Sequence, residues 1–271
     1  MGHEALDIGH LNLKRLRGRL IFLESTASTN DVAKELAEEG CIEGAAVVAD
    51  EQTAGRGRQG RSWISPKGAG LYLSVVLRPT IPLEMAPLVT LLSAVATAET
   101  IREEVVVRVD PTRDAQVDIK WPNDILLNDS KVCGILTETG IEGRSIKYII
   151  TGIGVNLNHE QFPDYLAQSA TSIFIETGCR VERDRFCLRL LSHLDRWYDI
   201  FLTQGGAPVL SRWRDLSTYG EGKRVSVSFG NHQIIGLTRG LTPEGALLIE
   251  GADGNIEKLL AGEITSLRQS V

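Results

Sequence analysis

Hydrophobic positions recur at two different spacings along this chain, and each switch of spacing marks an element. Arg19–Glu24 reads as a strand, and the hydroxyl-rich stretch Ser25–Asp31 then feeds a helix. Ser28 stands three residues ahead of Asp31, the spacing of a capping box with Asp in place of Glu; Val32, Ala33, Leu36 and Ala37 share a helical face, and Gly40 ends it. Ala45–Ala49 and Gly70–Arg78 predict buried strands, the second stopped by Pro79. Pro87 opens a helix with Leu88, Leu91, Leu92, Val95 and Ile101 at helical spacing. Val117–Trp121 alternates with period two up to Pro122, which predicts a half-exposed strand. Val132–Glu138 and Lys147–Val155 predict further strands around a glycine turn near Gly143. From Asn156 to about Thr171 the chain is polar and poorly periodic, the pattern of a long loop. Arg183–Phe201 predicts a long helix with Leu190, Leu194, Trp197, Tyr198 and Phe201 on one face, and a shorter helix lies around Pro208–Leu216.

The character changes after Tyr219. Val225, Val227 and Phe229 alternate with serines, and short strands follow at Ile234–Leu237, Ala246–Ile249 and Ile256–Leu260, separated by turns at Gly230-Asn231, Pro243–Gly245 and Asp253–Asn255. Closely spaced strands without a helix predict a small β-barrel of ~50 residues, near the lower limit for independent folding. The expected organisation is an α+β domain over residues 1–218 and a small β domain over 219–271.

Composition narrows the class. The chain has 271 residues, 42% hydrophobic and 24% charged, with net charge −6, which excludes intrinsic disorder and argues against wrapping nucleic acid. The longest uncharged stretch, Met85–Ala98, is 14 residues, too short for a bilayer and interrupted by Pro87 and Ser93, so a core helix is expected and no membrane partner. No apolar segment ahead of a small-residue cleavage site is seen in the first residues, so no secretory signal is expected. Cys41, Cys133, Cys179 and Cys187 are scattered and form no CxxC, which reads as reduced packing residues in a cytoplasmic protein with no protein-held metal. The basic cluster Lys14, Arg15, Arg17 and Arg19 reads as a solvated surface.

Candidate chemistry concentrates in three places. Gly55, Gly57 and Gly60 satisfy G-x-G-x-x-G after a strand, but Ser62–Pro66 cannot begin a long helix, and the next acidic residue after Glu51 is Glu84, so the dinucleotide reading fails. What remains is three glycines and three arginines within Gly55–Arg61: amides that can approach a ligand, and guanidinium forks for phosphate or carboxylate. Three like charges in one short loop repel each other unless an anion binds. Trp63 beside them reads either as core or as a stacking surface for a purine. In Lys120-Trp-Pro-Asn-Asp124, alternation turns Lys120 away from Val117, Ile119 and Trp121, which fits either a solvated lysine or a cation facing an anionic substrate. Gly152-Ile-Gly-Val-Asn156 is a glycine-bearing strand end that a ligand could approach closely.

Ser28-Thr-Asn30 before a helix, Gly55–Arg61 with Trp63, Lys120–Asp124, Lys131-Val-Cys-Gly-Ile-Leu136 and Gly152–Asn156 occur in this order, and together they resemble the bacterial biotin–protein ligases. The resemblance covers Ser25–Asn158 and extends into the C-terminal β domain, since that family carries a small SH3-like domain there. It implies a mixed sheet flanked by helices, related to class II aminoacyl-tRNA synthetases. The activity it implies has two steps: the biotin carboxylate attacks the α-phosphorus of ATP to give biotinyl-5′-adenylate and pyrophosphate, and a lysine of a biotin carboxyl carrier domain then takes the biotinyl group and releases AMP. No protein nucleophile is needed; Mg²⁺ would accompany ATP.

The resemblance places Ser28, Thr29, Asn30 and Gln52 on the biotin head group and Arg56, Gly57 and Arg58 in the biotin- and phosphate-binding loop. It sets Lys120 beside the carboxylate and α-phosphate, so that Lys120 and Arg58 are the catalytic candidates. Arg61, Asn123 and Asn156 fall on the nucleotide and Trp63 under the adenine, with the segment after Asn156 covering the adenylate. Family members can dimerise by sheet-edge extension, and the sequence selects neither monomer nor homodimer. Some carry an N-terminal winged helix-turn-helix and repress operons; here the ligase pattern begins by Arg19, so no specific DNA binding is expected. A lipoate–protein ligase on the related fold is the alternative enzyme, and its different glycine-loop signature is not found.

Overall fold

The computed structural model describes residues 4–6, 11–106, 115–229, 232–260 and 262–266. Eight strands, β1 (Glu4–Leu6), β2 (Leu20–Leu23), β3 (Ala46–Ala49), β4 (Gly70–Leu77), β5 (Val117–Lys120), β6 (Asp124–Leu127), β7 (Ser130–Glu142) and β8 (Ser145–Asn156), form one mixed sheet in the order β1-β2-β3-β4-β8-β7-β6-β5. Only β2 and β3 run parallel; the other neighbours are antiparallel. β4 is buried at every position, because helices cover both of its faces. On one face α1 (Thr29–Glu38) packs Ala33 and Ala37 against Val47, Val76 and Ile150. On the other, α2 (Pro87–Val106), α4 (Arg183–Gln204) and α5 (Ala207–Asp215) bury Leu88, Leu92, Leu190, Leu194 and Trp213 with Leu71, Leu73 and Val75. The helix over Leu83–Val106 is apolar enough to cross a membrane by composition, but here it is the enclosed core helix. A short α3 (Ile173–Thr177) follows the irregular segment after β8.

The second, antiparallel sheet holds β9 (Glu221–Phe229), β10 (His232–Leu241), β11 (Leu247–Gly251), β12 (Ile256–Leu259) and β13 (Glu263–Ser266) in the order β12-β11-β10-β9-β13. It is seated on the first: Trp121 Nε1 donates to the Gly245 carbonyl at 3.1 Å, and Gly245 lies against Leu88 and Leu91 of α2.

Several expectations are corrected. Ser28 is the N-cap of α1 but makes no side-chain cap bond, so the capping box does not form; Asp31 is drawn to Arg56 instead. β5 is not half-exposed: Asp118 is buried, because the segment Leu216–Thr218 lies along the strand and Thr218 donates its N–H (2.8 Å) and hydroxyl (2.5 Å) to it. The basic cluster is only partly solvated, since Lys14 and Arg15 pair with Asp199, while the buried Asp195 carboxylate accepts the backbone N–H groups of residues 14–16. β1, β6, β13 and α3, each five residues or fewer, carry too little periodicity to be read. The turn expected at Gly230-Asn231 lies outside the described residues. All four cysteines are free.

Glu99 of α2 ties three helices together. Burial alone would raise its pKa, but hydrogen bonds from His193, Trp197 and Arg212 and the charge of Arg196 outweigh burial and bring it down to about 2. A lowered folded-state pKa means stability that is present above the unfolded value and lost as pH falls through it toward 2. Discounted for the exposed parts of Arg196 and Arg212, the contribution is about 1–2 kcal/mol. Denaturant unfolding should therefore show Glu99→Gln less stable than wild type by that amount at pH 7, with the gap narrowing between about pH 5 and 2.

Candidate active site

A cavity of about 620 Å³ opens on the α1 face of the first sheet, and all twelve residues singled out from the sequence line it. At one end stand Ser28, Thr29 and Asn30, at the start of α1, with Gln52 just after β3. They are bonded to each other: the Gln52 carbonyl oxygen accepts from the Thr29 N–H (2.9 Å) and hydroxyl (3.0 Å), and its amide donates to Ser65 (2.9 Å). Ser74 of β4 donates to Asn30 Oδ1 at 2.6 Å and lies 2.8 Å from the Thr29 hydroxyl. Because Ser28 spends no side-chain bond on its helix, its hydroxyl is left on the cavity wall.

The glycine-arginine segment is a hydrogen-bonded hairpin. Gly57 N–H donates to the Arg61 carbonyl (2.6 Å) and Trp63 N–H to the Gly55 carbonyl (2.8 Å), with Gln59 and Gly60 at positive φ at the tip. A Cβ on Gly55 would come 2.4 Å from the Trp63 carbonyl, so close packing within the hairpin demands glycine there. The three arginines are treated differently. Arg56 is forked onto Asp31 (2.6 and 2.7 Å), with Glu138 at 3.5 Å, so part of the anionic charge that the loop needs comes from the protein itself. Arg58 donates to Asn123 Oδ1 (3.1 Å) and reaches the carbonyl of Gly262, just ahead of β13 (3.5 Å). Arg61 stays largely exposed. Asn123 is itself fixed by donating to the Ile135 carbonyl at 2.8 Å.

The glycines of β8 line the cavity and also make room for site side chains. A Cβ on Gly152 would stand 2.1 Å from Asn30 Oδ1, and one on Gly154 2.4 Å from Trp63 Nε1. Gly154 pairs across the ladder with Gly134 of β7, which also faces the indole, so Trp63 lies on a bare patch of sheet. Lys131 Nζ sits 5.3 Å from the centre of the Trp63 ring and 2.7 Å from Asp124 Oδ1. Lys120, at the end of β5, lines the same cavity.

Residues 157–172 cover the site without forming a helix or strand. The segment is pinned where Lys131 N–H meets the Ser169 carbonyl (2.8 Å), Thr171 N–H the Lys131 carbonyl (2.9 Å) and Asn156 Nδ2 the Thr171 carbonyl (2.9 Å). Phe162 lines the cavity and stacks on His159, whose pKa burial lowers to about 4, so that ring is neutral at pH 7. Among the described residues, no cluster of three or more His, Cys, Asp or Glu side chains is arranged to hold a metal.

The sequence assigns no site role to Lys131, Asp124, Ser74 or Glu138, and it marks Asp31 only as half of a capping box. Lys131 and Asp124 lay inside quoted motifs; the register shift between β6 and β7 at Ile125/Leu126 turns Lys131 to the same face as Gly134, and strict alternation hides this. Nothing local marks Ser74 or Glu138, and nothing near Asp31 marks its pairing with Arg56.

Residues 22–156 match the Biotin/lipoate A/B protein ligase family, and residues 222–265 match the Biotin protein ligase C terminal domain. The bifunctional ligase/repressor BirA of Bacillus subtilis is 38% identical over 247 residues, spanning 90% of this chain and 73% of that protein. The biotin–[acetyl-CoA-carboxylase] ligase of Paracoccus denitrificans is 35% identical, spanning 86% of this chain and 94% of that one. Among solved structures, the biotin protein ligase from Aquifex aeolicus in complex with biotin and ATP superposes with a TM-score of 0.74 at 31% identity, covering 92% of this chain and 99% of that one. A catalytic domain joined to this C-terminal domain, on a sheet that carries the ligase motifs in order, shows that the chain belongs to the biotin protein ligases.

Proposed function

We propose that this ligase activates biotin as biotinyl-5′-adenylate in the cavity on the α1 face and passes it to a lysine of a carboxylase's biotin carrier domain; the Paracoccus relative is named for acetyl-CoA carboxylase. The observation that supports this is the division of one cavity into a neutral, hydrogen-bonding end at Ser28–Asn30 and Gln52 and a cationic stretch holding Arg58, Arg61, Lys120 and Lys131. The neutral end suits the ureido ring of biotin, which offers both donors and an acceptor. The cationic stretch suits a carboxylate attacking a phosphate, where two anions must be brought together.

Lys120 and Lys131 share the charge that builds at the α-phosphorus, and Arg58 holds the carboxylate side from the hairpin. Trp63, flat on Gly134 and Gly154, stacks on adenine, and Asn156 acts by anchoring the covering segment. Mg²⁺ would accompany the ATP phosphates and supply further charge neutralisation there, since the Asp124 carboxylate is taken by Lys131. The four free thiols suit a reducing cytoplasm.

Mass spectrometry of a carrier domain incubated with the protein, biotin and MgATP tests the reaction: one biotin is expected on one lysine, and no mass gain would sink the reading. In single-turnover adenylate formation, Lys120→Ala and Lys131→Ala should stay folded and lose roughly 10²–10³-fold, on the order of 3–4 kcal/mol, as for removal of one preorganised charge-stabilising group. A near-normal rate in either would remove that lysine from the chemistry. The β8 glycines should separate the two substrates. Gly152→Ala displaces Asn30 and should raise the KM for biotin at least ~tenfold with little change for ATP, while Gly154→Ala displaces Trp63 and should do the reverse. Initial-rate kinetics with each substrate varied in turn will show whether the two effects part in this way.

A further inference from the structure

One carboxylate touches both ends of the biotin pocket's wall. Positions 134, 136 and 138 of β7 share one face of the strand: Gly134 lies under Trp63, Leu136 lines the cavity, and Glu138 follows beside α1, where Asn30 reaches it. Glu138 Oε2 accepts from Asn30 Nδ2 at 2.6 Å, and Arg56 Nη2 of the hairpin stands 3.5 Å from the same oxygen. Asn30 thereby has its amide fixed at both ends. Its NH₂ points to Glu138 and to the Leu136 carbonyl (3.3 Å), and its oxygen accepts from Ser74. An ionised carboxylate only accepts hydrogen bonds, so Glu138 enforces this orientation and forbids the flipped amide. Asp31, one residue beyond Asn30, takes the other side of the Arg56 fork. The bonds thus run from Gln52 through Thr29, Ser74, Asn30 and Glu138 to Arg56 and Asp31, linking the pocket floor to the loop that closes it.

We propose that Glu138 is a positioning residue for biotin: by holding Asn30 and Arg56 on one carboxylate, it sets the head-group pocket and the glycine-arginine hairpin together. This rests on the assignment of that pocket to biotin. Glu138 does not touch the reacting atoms, so its loss should weaken biotin binding and leave the chemical step nearly intact. The hydrogen bond from Asn30 is short and charge-assisted and carries most of the effect. The longer pair with the half-exposed Arg56 carries less.

The test is biotinyl-adenylate formation by the intact protein without carrier, with biotin varied at saturating MgATP, alongside thermal unfolding and tryptic cleavage after Arg56 in the presence of biotin. Glu138→Ala should raise the KM for biotin roughly tenfold, leave kcat within about threefold, leave the KM for ATP unchanged and speed cleavage after Arg56. Glu138→Gln keeps the size and an acceptor for Asn30 but no charge toward Arg56. It should raise the KM only about threefold, and it serves as the folded variant if Glu138→Ala unfolds. An unchanged biotin KM in the folded variants, or a loss of kcat with the KM unaltered, would overturn the proposal. Those outcomes with a wild type that does form adenylate overturn this inference alone. A wild type that forms none overturns the assignment of the pocket to biotin as well.

Discussion

Two positions on β8 carry no side chain, and the site is built in the space this leaves. Gly152 and Gly154 stand two apart on the α1 face, next to the fully buried β4. Over Gly152 the Asn30 amide drops into the sheet; over Gly154 and its cross-strand partner Gly134 the Trp63 indole lies flat. Glycine inside a strand costs roughly 0.5–1 kcal/mol relative to alanine, and here two fall in one strand with a third opposite. A two-sided sheet with α2 and α4 packed across its back can carry that loss without slipping register. The cost is accepted at the one place where side chains from α1 and the hairpin must sit against backbone.

This explains what was legible in the sequence. Elements with long periodicity, such as α2, α4, β4 and β8, read correctly because burial of one stripe or strand dictates their pattern. The motif residues were legible too, and the structure gathers them in one cavity. What could not be read depends on partners distant in sequence. Ser28 and Asp31 had the spacing of a cap, but Arg56, 25 residues on, competes for Asp31 through a bidentate pair that a helix N–H cannot match. Asp118 was read as exposed because nothing in β5 announces that Thr218, 100 residues later, covers it. Gly152 and Gly154 stand out in the sequence and line the cavity, but nothing near them in sequence announces that Asn30 and Trp63 pack against them.

The arginine hairpin shows a second division of labour that composition conceals. Three arginines in a short loop look like three phosphate ligands. Arg56, however, is offset by Asp31 and Glu138 and serves as a strut, while Arg58 leans on Asn123 and the Gly262 carbonyl and so joins the loop to the chain just ahead of β13. Arg61, exposed near the tip, turns back on the hairpin and donates Nε to the Arg58 carbonyl at 3.4 Å. Holding the first two in place lowers the ordering cost of the loop when substrate binds, because their side-chain entropy is already spent in the free protein.

The covering segment faces the opposite demand. In the first proposed step, water must be kept from a mixed anhydride; in the second, a lysine from another protein must reach it. A helix docked over the cavity would meet the first demand and obstruct the second. Residues 157–172 instead carry no regular structure, and they are fastened at their C-terminal end by the bonds to Lys131 and Asn156 and near their start by buried His159 stacked on Phe162. Between those anchors, Tyr165 is exposed while Phe162 and Leu166 line the cavity. The middle is held only by its own turn, in which Leu166 and Ala167 N–H donate to the Pro163 carbonyl, and by the Phe162 and Leu166 side chains in the cavity wall, so the cover touches the site through a few side chains and bonds to the sheet only at its ends.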